Sequence, residues 1–326
     1  MNAPSPLPDS PAQAGEGKQR KREKRDVHGW VILDKPVGMT STHAVSVVRR
    51  LFTAKKAGHA GTLDPLASGV LPIALGEATK TVPFVMDGRK VYRFTVRWGE
   101  ERDTDDAEGQ VVAASDARPA AEAIRALLPA FTGTISQVPP RFSAIKIAGE
   151  RAYDLARDGE TVELAARTVE IHTLEILDTL DADHTVFEAE CGKGTYVRAL
   201  ARDLGRALGT HGHIAALRRA AVGPFGEAEA VALDALQRYS EAGDDARNDT
   251  PLFLLPIESG LQALPALSVS QADAARLARG QAVLLRGRDA PIIEGWIAVS
   301  TQGSLIALAE VAKGELHPRR VFNLQK

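Results

Sequence analysis

KVYRFTVRW, residues 90–98, decides the fold class. Tyr92, Phe94, Val96 and Trp98 alternate with Arg93, Thr95 and Arg97, so four large side chains share one sheet face and polar ones take the other. A helix would repeat its apolar residues at three and four instead. The segment therefore predicts a strand with one face in the core, as in an antiparallel sheet. Toward the N-terminus, WVILDKP reads as a short buried strand beginning at Gly29 and stopped by Pro36. Ser41 or Thr42 then caps a helix whose residues Ala44, Val47, Val48 and Leu51 fall on one buried face. A glycine-containing loop from Gly58 to Gly69 follows.

Beyond the central strand, residues 119–131 have helical propensity, and Pro139 and Pro140 return the chain to extended structure. RTVEIHTLEILDTL (167–180) and HTVFEAEC (184–191) are β-rich and separated by an Asp-containing turn, which predicts a hairpin; Val197 to Leu208 turns helical. Short strands and isolated helices without a regular βαβ period predict an α+β fold: a largely antiparallel mixed sheet with flanking helices. The acidic stretch EAGDDARND (241–249) reads as a surface loop near the end of the main domain. From Leu264 onward, a short helix (Gln271 to Arg279) and the strand-like AVLLRG, GWIAVS, LIALAEV and RRVFNL predict a small β-barrel-like unit.

The expected organisation is a disordered basic tail over 1–26, a catalytic domain over 27–250, a linker over 251–263 and the small unit over 264–326. The tail holds Pro4, Pro6, Pro8 and Pro11 and then GKQRKREKR, with almost nothing to bury. The whole chain, 326 residues and 44% hydrophobic, can build a large core. Its 40 Lys and Arg against 42 Asp and Glu do not mark a nucleic-acid binder in bulk, so RNA binding requires a local basic cleft. The single cysteine, Cys191, excludes an internal disulfide framework and makes a thiolate zinc site untenable. No apolar run approaches a membrane span and the N-terminus lacks a secretory apolar stretch; the reading is soluble and cytoplasmic.

Two segments carry candidate chemistry. GHAGTLDPLASG places Asp64 directly before Pro65, which restricts it to extended conformations, while the flanking glycines let a ligand approach the backbone. On these residues alone the Asp-Pro pair is more often an ordinary turn than a catalytic group. In FEAECGKGTYVRALARDLG, Tyr196 and Arg198 are two apart and share a side if they end a strand; Arg198 then pairs with a carboxylate, either to keep a reactive one ionised or simply as a structural ion pair. GKGT (192–195) fails the phosphate-loop pattern, because Phe187 stands at its leading glycine and Gly194 follows Lys193. DTDDAEG (103–109) fails the calcium-loop pattern at Ala107 and Glu108 and reads as a solvent-facing turn. A zinc-deaminase signature needs more cysteines than the chain has.

Taken in order, LDKPVGMTS (33–41), GHAGTLDPLASGVLPIALGEATK (58–80), KVYRFTVRWGEERDTDDAEG (90–109), PPRFSAIKIAGERAYDLAR (139–157), GKGTYVRALARDLG (192–205) and LRRAAVGPF (217–225) closely resemble the TruB family of pseudouridine synthases. The part after Leu264 resembles, more loosely, the PUA-type RNA-binding domain of bacterial members. The resemblance implies conversion of a uridine in the T-loop arm of tRNA to pseudouridine by a monomer, with no metal and no nucleotide or other cofactor. It implies that Asp64 is the essential aspartate, that Tyr92 stacks on the flipped base, that Tyr196 sits beside the reacting centre, that Arg198 pairs with Asp64 and that Leu217 packs against the uracil. His59 matches the histidine that fills the space the base vacates. Lys35 and Pro36 match the motif supporting the floor of the site, with Gly61 as structural support in the aspartate loop. Where family members often carry Thr, this chain has Arg102. Two other readings are a guide-dependent synthase of the dyskerin kind and a tRNA-binding folding chaperone.

Overall fold

The computed structural model describes residues 23–143, 146–147, 150–151, 164–241, 253–285 and 294–324. Its strands are β1 (Gly29–Lys35), β2 (Ala57–His59), β3 (Ser68–Leu75), β4 (Lys90–Trp98), β5 (Glu100–Arg102), β6 (Val111–Ala114), β7 (Gly133–Gln137), β8 (Lys146–Ile147), β9 (Glu150–Arg151), β10 (Arg167–Thr179), β11 (His184–Cys191), β12 (Gly212–Val222), β13 (Phe225–Gly226) and β14 (Val231–Ala232). A second group comprises β15 (Ala266–Ser268), β16 (Val283–Leu284), β17 (Gly295–Thr301), β18 (Ser304–Ala312) and β19 (Glu315–Val321). The main sheet runs β14-β1-β3-β12-β4-β11-β10-β7, with β2 beside β3 and β13 beside β12. Among the described residues of this sheet only the β1–β14 and β3–β12 pairs are parallel, so the α+β, largely antiparallel expectation holds.

β4 lies inside this sheet because both of its edges are paired, to β11 and to β12. Its alternation works as the sequence predicts: Phe94, Val96 and Trp98 are buried while Arg93 is exposed. Phe94 stacks on Phe187 of β11 at 5.4 Å, and Trp98 meets the edge of the same ring at 6.2 Å. The indole N–H of Trp98 donates to Thr185 Oγ1 at 3.0 Å, so the one polar atom in this aromatic group is satisfied. The helix Val197–Ala207 lays Val197, Leu200, Ala201 and Leu204 on the same core. Fully burying each such leucine contributes roughly 1.5–3 kcal/mol. The predicted hairpin is present as β10 and β11.

The helix Ser41–Leu51 buries Ala44, Val47 and Val48 as its spacing predicts, with Leu51 half-buried. Its cap is Thr40, not Ser41 or Thr42: Thr40 is extended and its hydroxyl accepts from the His43 N–H at 3.1 Å. Ser41 is free of that task because its side chain turns inward to another partner, described below. A further correction concerns residues 103–109. Asp105 and Asp106 are 6% and 3% exposed, not solvent-facing, because two arginines from the Val197–Ala207 helix reach them.

On its other face, the β1, β3, β12 and β13 part of the main sheet meets the second sheet, ordered β15-β17-β18-β19-β16. Trp30, Ile32, Val70, Val222 and Phe225 share one apolar cluster with Leu305, Leu308 and Phe322. Polar ties reinforce the contact: the Lys80 ammonium donates to Val321 O at 2.7 Å, and the Asn323 N–H donates to Glu77 Oε2 at 2.8 Å. The helix Gln271–Ala278 buries Leu277 against Val283, Ile297 and Val299 of this second sheet. Its last strand starts at Glu315, ahead of the RRVFNL stretch, because the chain turns back after Ala312 and pairs from Glu315 onward. The EAGDDARND stretch after Glu241, residues 1–22 of the tail and most of the 139–157 block beyond Ser143 lie outside the described residues.

Candidate active site

Asp64 stands in the connection between β2 and β3, in a turn closed by the Ala67 N–H donating to Asp64 O at 3.1 Å. Three anchors fix this loop. Ser41 Oγ, at the start of the first helix, donates to Leu63 O at 2.9 Å and accepts from the Leu63 N–H at 2.8 Å. The Gly38 N–H donates to Pro65 O at 2.8 Å. Lys35, with no exposed surface, donates its ammonium to Pro36 O at 2.9 Å, Met39 O at 2.8 Å and Pro65 O at 3.4 Å, joining the end of β1 to the residue after the aspartate. Burial pushes the Lys35 ammonium down to about 8, against the opposing pull of Asp64. The carbonyl of Pro36 is thus one of the three acceptors that hold the Lys35 ammonium.

The Asp64 side chain is over a third exposed and faces a cavity of about 440 Å³. Arg198 Nε lies 2.9 Å from Asp64 Oδ2, yet that N–H has no acceptor in hydrogen-bond alignment. The contact is therefore an ion pair, and among the described residues no donor is committed to the carboxylate oxygens. The guanidinium itself is held firmly: Nη1 donates to Thr104 O at 2.9 Å, Nη2 to Phe142 O at 2.8 Å, and Asp106 Oδ2 lies 3.5 Å from Nη1. Asp106 is fixed in turn by the Thr104 hydroxyl at 2.5 Å and the Glu108 N–H at 3.1 Å. One turn along the helix, Arg202 repeats the arrangement with Asp105 at 2.9 Å, whose carboxyl is raised to about 6 by burial. Arg102, the residue that departs from the family pattern, organises its own loop by donating to Ala107 O and Gly109 O at 3.3 and 3.0 Å.

Tyr196 and Arg198 do not end a strand. Tyr196 is the N-cap residue of the helix Val197–Ala207 and Arg198 sits in its first turn, so both face the cavity from a helix start. The Tyr196 N–H, which has no intrahelical acceptor at a helix start, donates to Gln137 Oε1 at 2.9 Å. Asp64, Gly61, Tyr92, Tyr196, Arg198 and Leu217 all line the one cavity. Tyr92 and Leu217 belong to neighbouring strands, with Tyr92 opposite Arg219 and Phe94 opposite Leu217. Burial raises the phenols of Tyr92 and Tyr196 above the ordinary tyrosine value. His59 is not in the wall: on β2 it pairs with Ile73 of β3, half-buried, with its ring Nδ1 unpartnered and its basicity lowered by burial and by the charge of Arg219.

Sequence reasoning missed three cations of this cavity. Lys90 is buried, donating to Met86 O and Gly88 O; Lys193 pairs with Asp87 at 3.1 Å at the mouth; Arg219 is 1% exposed. A signal for Arg219 was present, since period two along LRRAAV places it on the face of Leu217. These groups supply the local positive cleft that the net charge of −2 conceals.

Comparison with known proteins decides the family. Residues 49–197 match the N-terminal domain model of the TruB family pseudouridylate synthases, residues 198–262 the tRNA pseudouridylate synthase B C-terminal domain model, and residues 265–322 the C-terminal model of pseudouridine synthase II TruB. The chain is 67% identical to tRNA pseudouridine synthase B of Bradyrhizobium diazoefficiens, over 97% of this chain and 92% of that one. This chain belongs to the TruB family. A second member, tRNA pseudouridine synthase B of Nitrobacter winogradskyi, is 68% identical over 94% of this chain and 86% of its own. The fold extends further: a solved H/ACA RNP bound to a substrate RNA containing 2'-deoxyuridine superposes with TM-score 0.71 at 25% identity, covering 91% of this chain and 85% of that one. As a TruB-family member the protein is a pseudouridine synthase, and the cavity beside Asp64 is its candidate active site. Among the described residues no helix is long and apolar enough to cross a membrane.

Proposed function

We propose that this synthase converts one uridine in the T-loop arm of tRNA to pseudouridine, with Asp64 as its catalytic carboxylate and the target base turned out of its stack into the cavity. The observation that carries the reading is the 2.9 Å Arg198–Asp64 contact at the wall of a cavity that also presents Tyr92, Tyr196 and Leu217. Its volume, about 440 Å³, falls in the range of roughly 300–1,000 Å³ usual for small-ligand sites. Extruding a stacked base costs a few kcal/mol, which stacking on an aromatic face such as Tyr92 offsets. Leu217 packs on the uracil, Tyr196 flanks the reacting centre, and Lys35, Pro36 and Gly61 hold the aspartate loop from below. His59, outside the wall, takes the space the base leaves in the RNA.

The reaction exchanges one bond for another: uracil leaves C1′ at N1, turns, and rejoins through C5, which loses a proton while N1 gains one. No atom or electron is acquired, so the residues of the cavity suffice in this reading. Arg198 balances the charge of Asp64 without occupying its lone pairs, which leaves the carboxylate available to the nucleoside. The catalytic domain over 27–250, the small PUA-type RNA-binding unit over 264–326, the monomeric state and the cytoplasmic location belong to the same proposal.

The H/ACA likeness favours a second reading, guide-dependent action inside an RNA–protein particle. The test is purified protein incubated with an unmodified tRNA transcript and no guide RNA. Pseudouridine in the T loop is the expected product; its absence, with recovery on adding guide RNA and partner proteins, would transfer the chain to the guide-dependent class.

A further inference from the structure

Arg219 is a charged side chain with no ionic partner among the described residues. It is 1% exposed, and its guanidinium donates to three main-chain carbonyls, Nε to Val70 O at 2.9 Å, Nη1 to Thr62 O at 3.2 Å and Nη2 to Gly61 O at 3.0 Å, with the neutral Tyr92 hydroxyl as its side-chain neighbour. Two of these acceptors lie in the loop that carries Asp64, and the third lies in β3. Its backbone is equally committed: a Cβ built on Gly69 would come within 2.2 Å of Arg219 O, so β3 and β12 approach this closely only with glycine there. Desolvating a guanidinium without a counter-charge is costly, and a fold that retains one in a cavity wall has spent stability on its charge. Burial lowers the basicity of Lys35, His59 and Lys90, and the field of the Arg219 charge lowers it further.

We propose that Arg219 is a positioning residue of the isomerisation, fixing the Gly61–Asp64 loop against β3 and supplying a positive floor that stabilises the uracil while it is detached from the sugar. The inference rests on the uridine isomerisation proposed above. When the C1′–N1 bond breaks, its electron pair departs with the uracil, which stays anionic until C5 bonds to C1′; C5 then releases its proton and N1 takes one up. A cation already held in place, in a cleft of low dielectric, favours that anion without reorganising when it forms. Arg219 suits this task because three carbonyls fix its plane and none neutralises it.

The experiment begins with wild-type protein on an unmodified tRNA transcript; conversion there establishes the reaction, so its failure is distinct from failure of the role of Arg219. Single-turnover rates and RNA dissociation constants are then measured for Arg219→Gln, Arg219→Lys and Arg219→Ala, each below its own melting temperature. The expected result is a rate loss of about 100-fold in Arg219→Gln with RNA affinity retained, as for a group displaced by an ångström. Arg219→Lys, which keeps the charge and can hold only part of the cradle, falls between that variant and wild type. Methylguanidinium restores part of the Arg219→Ala rate, whereas methylurea, of similar shape and neutral, does not. A wild-type rate in Arg219→Gln, equal rescue by methylurea, or a loss residing in RNA affinity overturns the proposal. Should the shorter variants fail to fold, Arg219→Lys carries the test, and a wild-type rate there is contrary to it.

Discussion

Replacing Ser41 by alanine tests whether the aspartate loop is held from a distance. Ser41 is 3% exposed, does not line the cavity, and makes two bonds to Leu63, the residue before Asp64. Deleting its oxygen leaves a buried N–H and a buried carbonyl unpartnered, each costing about 1–3 kcal/mol, and alanine returns a few tenths through its better helix propensity. The net loss is about 2 kcal/mol at the least, taking the lower figure for each group. At about 2 cal/mol/K per residue over 326 residues, that lowers Tm by about 3 °C. The kinetic effect should be larger than the thermal one, because an aspartate displaced by about 1 Å loses up to about 100-fold in rate. Differential scanning calorimetry and single-turnover conversion of an unmodified tRNA transcript measure the two effects, with RNA affinity expected to stay at the wild-type value. An unchanged rate and an unchanged Tm would refute the tether, and a loss confined to RNA affinity would show that Ser41 acts on binding instead.

Lys35 predicts a pH dependence. Its folded value of about 8 lies below the ordinary 10.5, so the unfolded chain holds the proton more tightly and stability rises between about pH 8 and 10.5, by up to about 3 kcal/mol from this group. The stability difference between wild type and Lys35→Met should grow across that window, and a flat difference contradicts the assignment. Gly69→Ala places a methyl 2.2 Å from a carbonyl oxygen at a φ of +100°; it should cost several kcal/mol and leave little folded protein by circular dichroism. Arg198→Met removes the partner of Asp64 and of the buried Asp106, so it should lose on the order of 3–5 kcal/mol in urea unfolding together with most turnover, and a loss of either one alone is not expected.

What the sequence discloses follows the range of the interactions. The alternation of KVYRFTVRW, the hairpin of 167–191 and the apolar face of the first helix are local patterns, and each appears as predicted. Asp105 and Asp106 read as a solvated turn because a lone sequence shows their charge and not the two arginines, some 90 residues later, that neutralise them. Arg198 could be suspected as a carboxylate partner, but the helix start that carries it is tied to the sheet by a distant contact, the Tyr196 N–H donating to Gln137 Oε1 of β7. Lys90 and Arg219 are harder to read for a different reason: period two places Arg219 on the face of Leu217, but a buried cation held mainly by main-chain carbonyls has no acidic partner in the sequence to search for. Thr40 took the cap because Ser41 was needed by Leu63, a contact 22 residues away.

The central claim, that the carboxylate of Asp64 performs the chemistry, is tested most directly by Asp64→Asn in single-turnover assays with an unmodified tRNA transcript and a parallel binding measurement. The exchange keeps the side chain's shape and removes its charge. The predicted result is no detectable pseudouridine with tRNA binding largely retained; turnover close to wild type by that variant would contradict the account.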